Sequence, residues 1–263
     1  MLQFISGKEI ANRKELEHRL RVLNLQEKGI VPKLAILQTI SSSVIDTYVR
    51  VKKTYAQKIG IQVEHYNVSP GEIGQVIERF NNDSSIHGII IQLPLCEWLD
   101  QETTLNFVTK SKDVDGLVSG SGFVAPTVQS ILWLLDAYVS DIGSKKIALV
   151  GKGRLVGAPL EKELIKRGII PQIFTKDDSL ETLSEYNVII SATGMPSLLT
   201  SNYIQPGAYV FDAGTAEENG AIHGDAHDEL YGRDNISITP TKGGVGILTV
   251  RALFENVLLV AEE

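Results

Sequence analysis

The sequence predicts an α/β protein of two domains with parallel sheets, the second of the Rossmann type, and three observations carry that prediction. Its apolar runs are short and continuous rather than alternating, as in KLAILQ (33–38), HGIIIQ (87–92), IALV (147–150) and NVIISA (187–192). Such runs suit strands covered by helices on both faces. Between them lie segments with helical spacing, so the chain reads as successive βαβ units with parallel strands. Finally, IALVGKGRLVGAP (147–159) ends an apolar run in closely spaced glycines and opens into a helical pattern. A strand, a phosphate-binding turn and a helix N-terminus have this form in one dimension.

Taken in order, residues 8 to 28 predict a helix with Ile10, Leu16, Leu20 and Leu23 as its apolar stripe, followed by a strand at 33–38. A helix at 43–59 is stopped by Gly60, and a strand at 61–66, a helix at 71–81 and a strand at 87–92 follow. The glycine- and serine-rich VDGLVSGSGF (114–123) breaks the periodicity and marks a domain boundary. Beyond a helix at 127–138, the rhythm resumes with a strand at 147–150, a helix at 158–167 and strands at 169–174, 187–192, 208–212 and 236–239. The last segment is a long apolar helix, predicted to pack back on the first domain. The expected division is 1–123 completed by 245–263, and 124–244.

With 263 residues, 43% hydrophobic and 22% charged, the composition is that of a globular protein. The single cysteine, Cys96, excludes an intramolecular disulfide, and no metal constellation accompanies it. A net charge of −7 argues against nucleic-acid binding. The start lacks a basic leader and no run reaches the length of a membrane span, so a cytoplasmic protein away from membranes is expected.

Four groups of residues can carry chemistry. Tyr48 and Lys52 stand four apart in TYVRVKK, one above the other on a helix face; a partly desolvated lysine there can exchange protons near neutrality, while a surface lysine beside a tyrosine is the plainer alternative. Gln92 lies at the carboxyl end of an apolar strand, where open α/β sheets present ligand-binding groups, and Asp113 and Asp115 sit in the KDVDG turn. Gly151 and Gly153 let the backbone approach a pyrophosphate, although Gly157 falls one place later than the common fingerprint. The glycines of PTKGGVG (240–246) form a loop before the last helix.

In their order and spacing, TYVRVKK, GIIIQLPL, KDVDG, VGKGRLVGAP, VIISATGMP, FDAGT and TPTKGGVGILTV resemble the bifunctional methylenetetrahydrofolate dehydrogenase/methenyltetrahydrofolate cyclohydrolase family nearly end to end. The resemblance implies oxidation of 5,10-methylenetetrahydrofolate with NADP or NAD, then hydrolysis to 10-formyltetrahydrofolate. It also implies a homodimer, an N-terminal folate domain, a Rossmann-like cofactor domain and a site in the cleft between them. By position, Lys52 matches the catalytic lysine, Tyr48 the folate-stacking aromatic, Gln92 the lysine's partner and Asp115 the carboxylate that grips the pterin. Gly151, Lys152, Gly153 and Thr215 match cofactor contacts, and Gly243 and Gly244 fall in the substrate-side loop.

The chain departs from the family at several positions. Lys152 and Gly153 replace the usual Arg or Ala and Ser, Ile45 a usual serine, and Lys242 and Ile247 usual prolines; the loop after KDVDG is short and continues as APTV. Asp177 and Asp178 follow the second strand of the cofactor domain, where carboxylates favour a ribose hydroxyl over a 2′-phosphate and point to use of NAD. A cyclohydrolase lacking the dehydrogenase, or a non-catalytic folate- or dinucleotide-binding protein, are the alternatives; a tuned lysine with a dedicated glutamine argues against the latter.

Overall fold

The structure, a computed structural model, describes residues 3–218 and 221–263. Two compact units compose it: Asn12–Pro126 with Val250–Glu263, built on a three-stranded sheet, and Met1–Ala11 with Thr127–Thr249, built on a six-stranded one.

In the three-stranded unit, β2 (Lys33–Gln38) lies between β3 (Gln62–Asn67) and β4 (Gly88–Ile91), all parallel. The continuous apolar run of β2 is explained by its two covered faces. Leu34 and Ile36 point to one core with Val49 and Ala56 of α2 (Ser43–Ile59) and with Phe254, Val257 and Leu258 of α7 (Val245–Glu262). Ala35 and Leu37 point to the other, with Ile77 and Phe80 of α3 (Ile73–Asn81). Helix α2 is bounded by sequence-coded caps: the Ser42 hydroxyl accepts from Ile45 N, and Gly60 closes the end at φ 86°.

Helix α1 (Lys8–Glu27) corrects one expectation. Leu16, Leu20 and Leu23 are more than half exposed, whereas Ile10, Ala11, His18, Val22 and Leu25 are buried. Two faces of the helix carry apolar residues, and His18 selects between them. Its ring nitrogens sit 2.9 Å from the Tyr55 hydroxyl and 3.0 Å from a Glu255 oxygen, so a polar residue that periodicity counts as outward-facing is satisfied inside.

In the six-stranded unit all neighbours are parallel, in the order β1 (Gln3–Phe4), β11 (Ser237–Ile238), β8 (Tyr209–Asp212), β7 (Val188–Ser191), β5 (Ile147–Val150), β6 (Gln172–Phe174). The first residues, expected with the N-terminal domain, thus complete the edge of the second sheet. A two-residue strand carries no periodicity of its own and takes its conformation from the edge it joins. Strand β6 is shorter than expected because Pro171 has no N–H to donate to a ladder. The short helix α4 (Gln101–Leu105) and the antiparallel pair β9 (Ala216–Glu218) and β10 (Ala221–His223) were not foreseen. Helices α5 (Pro126–Tyr138) and α6 (Gly157–Lys166) lie close to their expected limits.

Candidate active site

Lys52 leaves α2 three turns after its cap and donates from Nζ to Gln92 Oε1 at 2.7 Å. Gln92 is fixed by its backbone as well as its amide: its N–H extends the sheet to Leu37 O at 2.8 Å, and its Nε2 donates to Leu93 O at 2.9 Å. With the amide nitrogen so engaged, the oxygen faces the lysine. Burial lowers the Lys52 pKa, and the charge of Asp115 opposes that shift. Burial likewise raises Asp115, against the pull of Lys52 and with a further push from Asp113. The ammonium therefore has a neutral hydrogen-bond partner and a carboxylate whose own charge is disfavoured, which keeps its proton labile. Tyr48, one turn earlier on α2, is 38% exposed.

The two aspartates of KDVDG divide their work. Asp113 is buried and its carboxylate accepts from Leu117 N at 3.2 Å and Val118 N at 2.9 Å, shaping the loop. Asp115 is left to face Lys52 electrostatically. Asn256, on α7, was missed by sequence reasoning: its amide donates to Val114 O at 2.8 Å and Val124 O at 3.0 Å, tying both ends of the Asp115 loop. A polar residue in an otherwise apolar stretch, NVLLVA, was the available signal. The start of α2 is pinned similarly. Gln38 donates to Ser41 Oγ at 3.1 Å and Asp46 Oδ1 at 3.2 Å, and its oxygen lies 2.8 Å from His65 Nε2. Ile45, where the family's serine is usual, is buried in the core instead.

In the six-stranded unit, Gly151 has φ 95°, and a Cβ there would lie 2.8 Å from Ala192 O. A Cβ on Gly157 would run into the Gly151 carbonyl, so the late third glycine serves the close strand-to-helix approach. At Gly153 the nearest atom to such a Cβ is 4.0 Å away, leaving open space. No side chain caps the N-terminus of α6 at Val156; in its first turn Ala158 N donates to Gly153 O at 3.0 Å and Pro159 carries no N–H, which leaves the Gly157 N–H to face an anion. These residues fit a dinucleotide's pyrophosphate. Lys152 pairs with Glu161 at 2.9 Å, and Thr215 is exposed after β8. Asp178 is spent locally, accepting from Thr175 N at 2.7 Å and Thr175 Oγ1 at 2.8 Å, while Asp177 is exposed. Gly243, at φ 88°, accepts from Gly7 N at 2.7 Å, and Gly244 O would lie 2.6 Å from a Cβ on Gly7; both pack on the N-terminal segment.

Tyr48, Lys52, Gln92 and Asp115 thus belong to one unit, and Gly151, Lys152, Gly153, Thr215, Gly243 and Gly244 to the other. The fold defines a class: a two-unit α/β enzyme, one unit with a lysine–glutamine pair at its sheet and the other a Rossmann-type dinucleotide-binding sheet.

The particular family follows from comparison with known proteins. Residues 5–115 match the family model of the tetrahydrofolate dehydrogenase/cyclohydrolase catalytic domain, and residues 125–263 that of its NAD(P)-binding domain; the chain belongs to this family. It is similar to the bifunctional protein FolD of Heliobacterium modesticaldum, 35% identical over 274 residues, covering 97% of this chain and 95% of the relative. With that of Staphylococcus aureus (N315) it shares 32% identity over 273 residues, 98% and 96% covered. The solved FolD of Campylobacter jejuni matches with a TM-score of 0.91 at 30% identity, covering 100% of this chain and 99% of the other. The Trypanosoma brucei methylenetetrahydrofolate dehydrogenase-cyclohydrolase, solved with NADP and inhibitor, matches at 0.91 with 25% identity, 99% and 97% covered. No helix among the described residues is long and apolar enough to cross a membrane.

Proposed function

We propose that this chain oxidises 5,10-methylenetetrahydrofolate with NAD(P) and hydrolyses the resulting methenyl compound to 10-formyltetrahydrofolate. The observation that carries the reading is the half-buried Lys52 ammonium held at 2.7 Å by a neutral glutamine oxygen. The folate stacks on Tyr48, and Asp115 receives N–H donors of the pterin. The turn of Gly151 and Gly153 would hold the pyrophosphate of a nicotinamide cofactor, which would supply the acceptor for hydride from the one-carbon bridge. The resulting methenyl carbon is cationic and is attacked by water. Neutral Lys52 takes the first proton that water sheds and as ammonium returns one to N5 as the carbon–N5 bond breaks; the carbinol hydroxyl releases the second to solvent as its carbonyl forms, leaving the formyl group on N10. Gln92 holds the lysine in place and leaves it uncharged part of the time, which a carboxylate partner would not.

For the cofactor, the carboxylate of Asp177 at the end of β6 supports a preference for NAD, since it would repel a 2′-phosphate. The proposal extends to a cytoplasmic homodimer, supported by the family resemblance. Assay of the purified protein with methylenetetrahydrofolate and each cofactor, with methenyltetrahydrofolate hydrolysis in parallel, tests the reading. Both activities are expected, with the lower KM for NAD. A lower KM for NADP would overturn the preference, hydrolysis alone would leave a cyclohydrolase, and silence in both would leave a binding protein.

A further inference from the structure

A second group of carboxylates lies at the carboxyl ends of β7 and β8 in the six-stranded unit. Strand register sets Val150, Ser191 and Asp212 side by side as the last residues of β5, β7 and β8. Asp225 is fully buried beside them. Its Oδ2 accepts from Ser191 Oγ at 2.5 Å and from Thr193 N at 2.8 Å. Asp212 accepts from Gly214 N at 2.9 Å, Asp225 N at 3.0 Å and Ala226 N at 2.9 Å. The two acids interlock through glycines: a Cβ on Gly214 would run into the Asp225 carboxylate, and one on Gly224 into that of Asp212.

The loops so held border the glycine turn. Ala192 O and Thr193 Cγ2 lie 2.8 and 2.9 Å from where a Cβ on Gly151 would stand, and the Thr215 carbonyl 3.4 Å from one on Gly194. Thr193 therefore packs on the turn's first glycine while its N–H is bound by Asp225. This buried carboxylate sets the height of one loop directly, through Ser191 and Thr193, and packs against Gly214 in the loop leading to Thr215.

We propose that Asp225 is a positioning residue for the dinucleotide: through the bonds its carboxylate accepts from Ser191 and Thr193, and through its packing on Gly214, it aligns the loops after β7 and β8 with the glycine turn. This rests on reading that turn as the cofactor's cradle. The role is that of a hydrogen-bond acceptor, which an asparagine oxygen can fill and an alanine cannot.

The test titrates NAD and NADP against the parent protein, Asp225→Ala and Asp225→Asn, with methenyltetrahydrofolate hydrolysis measured on each. Asp225→Ala is expected to weaken dinucleotide binding about tenfold, as loss of a buried acceptor implies, and Asp225→Asn to restore it to within about threefold. Hydrolysis should stay within about twofold in both, since Lys52 and Gln92 lie in the other unit. Unchanged binding in Asp225→Ala, or hydrolysis falling in step with binding, would overturn the proposal. If Asp225→Ala does not fold, Ser191→Ala decides, an unchanged Kd again overturning it. A parent that binds neither dinucleotide refutes the cofactor reading itself, and this proposal with it.

Discussion

Two buried charges in the three-stranded unit are treated in opposite ways. Glu255 is paired with Arg21 at 2.5 Å and Lys14 at 3.3 Å and hydrogen-bonded to the His18 ring at 3.0 Å. Burial alone would raise its pKa, but the His18 bond and the Arg21 and Lys14 charges outweigh that and bring it to about 2. Lys52 receives one neutral oxygen, and burial prevails. The first arrangement locks a proton state and joins α1 to α7. The second leaves a proton exchangeable, at a cost in stability, as expected where chemistry rather than cohesion is the outcome.

Replacing the lysine removes one side of this comparison. Lys52→Met should lower methenyltetrahydrofolate hydrolysis by roughly 10²–10⁴-fold, the range of a lost proton-transfer group, with unfolding stability equal to or above the parent's because a desolvated cation is gone. Hydrolysis at the parental rate would remove Lys52 from the mechanism.

Making the second site resemble the first is subtler. Gln92→Glu gives Lys52 a charged partner, raises its pKa and depletes the neutral amine near pH 7. Hydrolysis there should fall about tenfold, with the rise of the pH–rate profile displaced to higher pH. An unmoved profile would mean that the lysine's proton does not control the rate.

The smallest effect on activity is expected from Glu255→Gln, whose influence is on the fold. The folded pKa of about 2 lies below the ordinary glutamate value of about 4.3. The carboxylate's contribution is therefore complete above about pH 5 and is lost as pH falls toward 2. Urea unfolding at pH 7 should show a loss on the order of 2 kcal/mol, with the two proteins converging below pH 3. A gap that persists in acid would assign the effect to packing.

Much of the site was legible because its signals are local. Tyr48 and Lys52 share a helix face by spacing alone, Gln92 is marked by the end of an apolar run, and the caps Ser42 and Gly60 bound the helix that carries the lysine. The third glycine, one residue late, was legible as a departure, and the structure gives its reason in the contact with the Gly151 carbonyl. Asn256, His18 and Asp225 were missed: their partners are 132 to 142, 37 to 237 and 13 to 34 residues away, and only Asn256, set in an apolar stretch, carries a local mark.

The sequence by itself determined the alternation of strands and helices and the class of both sheets, because periodicity, capping and turn chemistry act within a few residues, whereas the pairing of Lys52 with Gln92 was implied by the family resemblance. Only the tertiary structure decided which stripe of α1 faces inward, that Gln3–Phe4 closes the far edge of the second sheet, and that Asp113 shapes a loop while Asp115 faces the lysine. Those choices depend on which buried polar group finds a partner, and the partners are brought within reach only when distant segments pack.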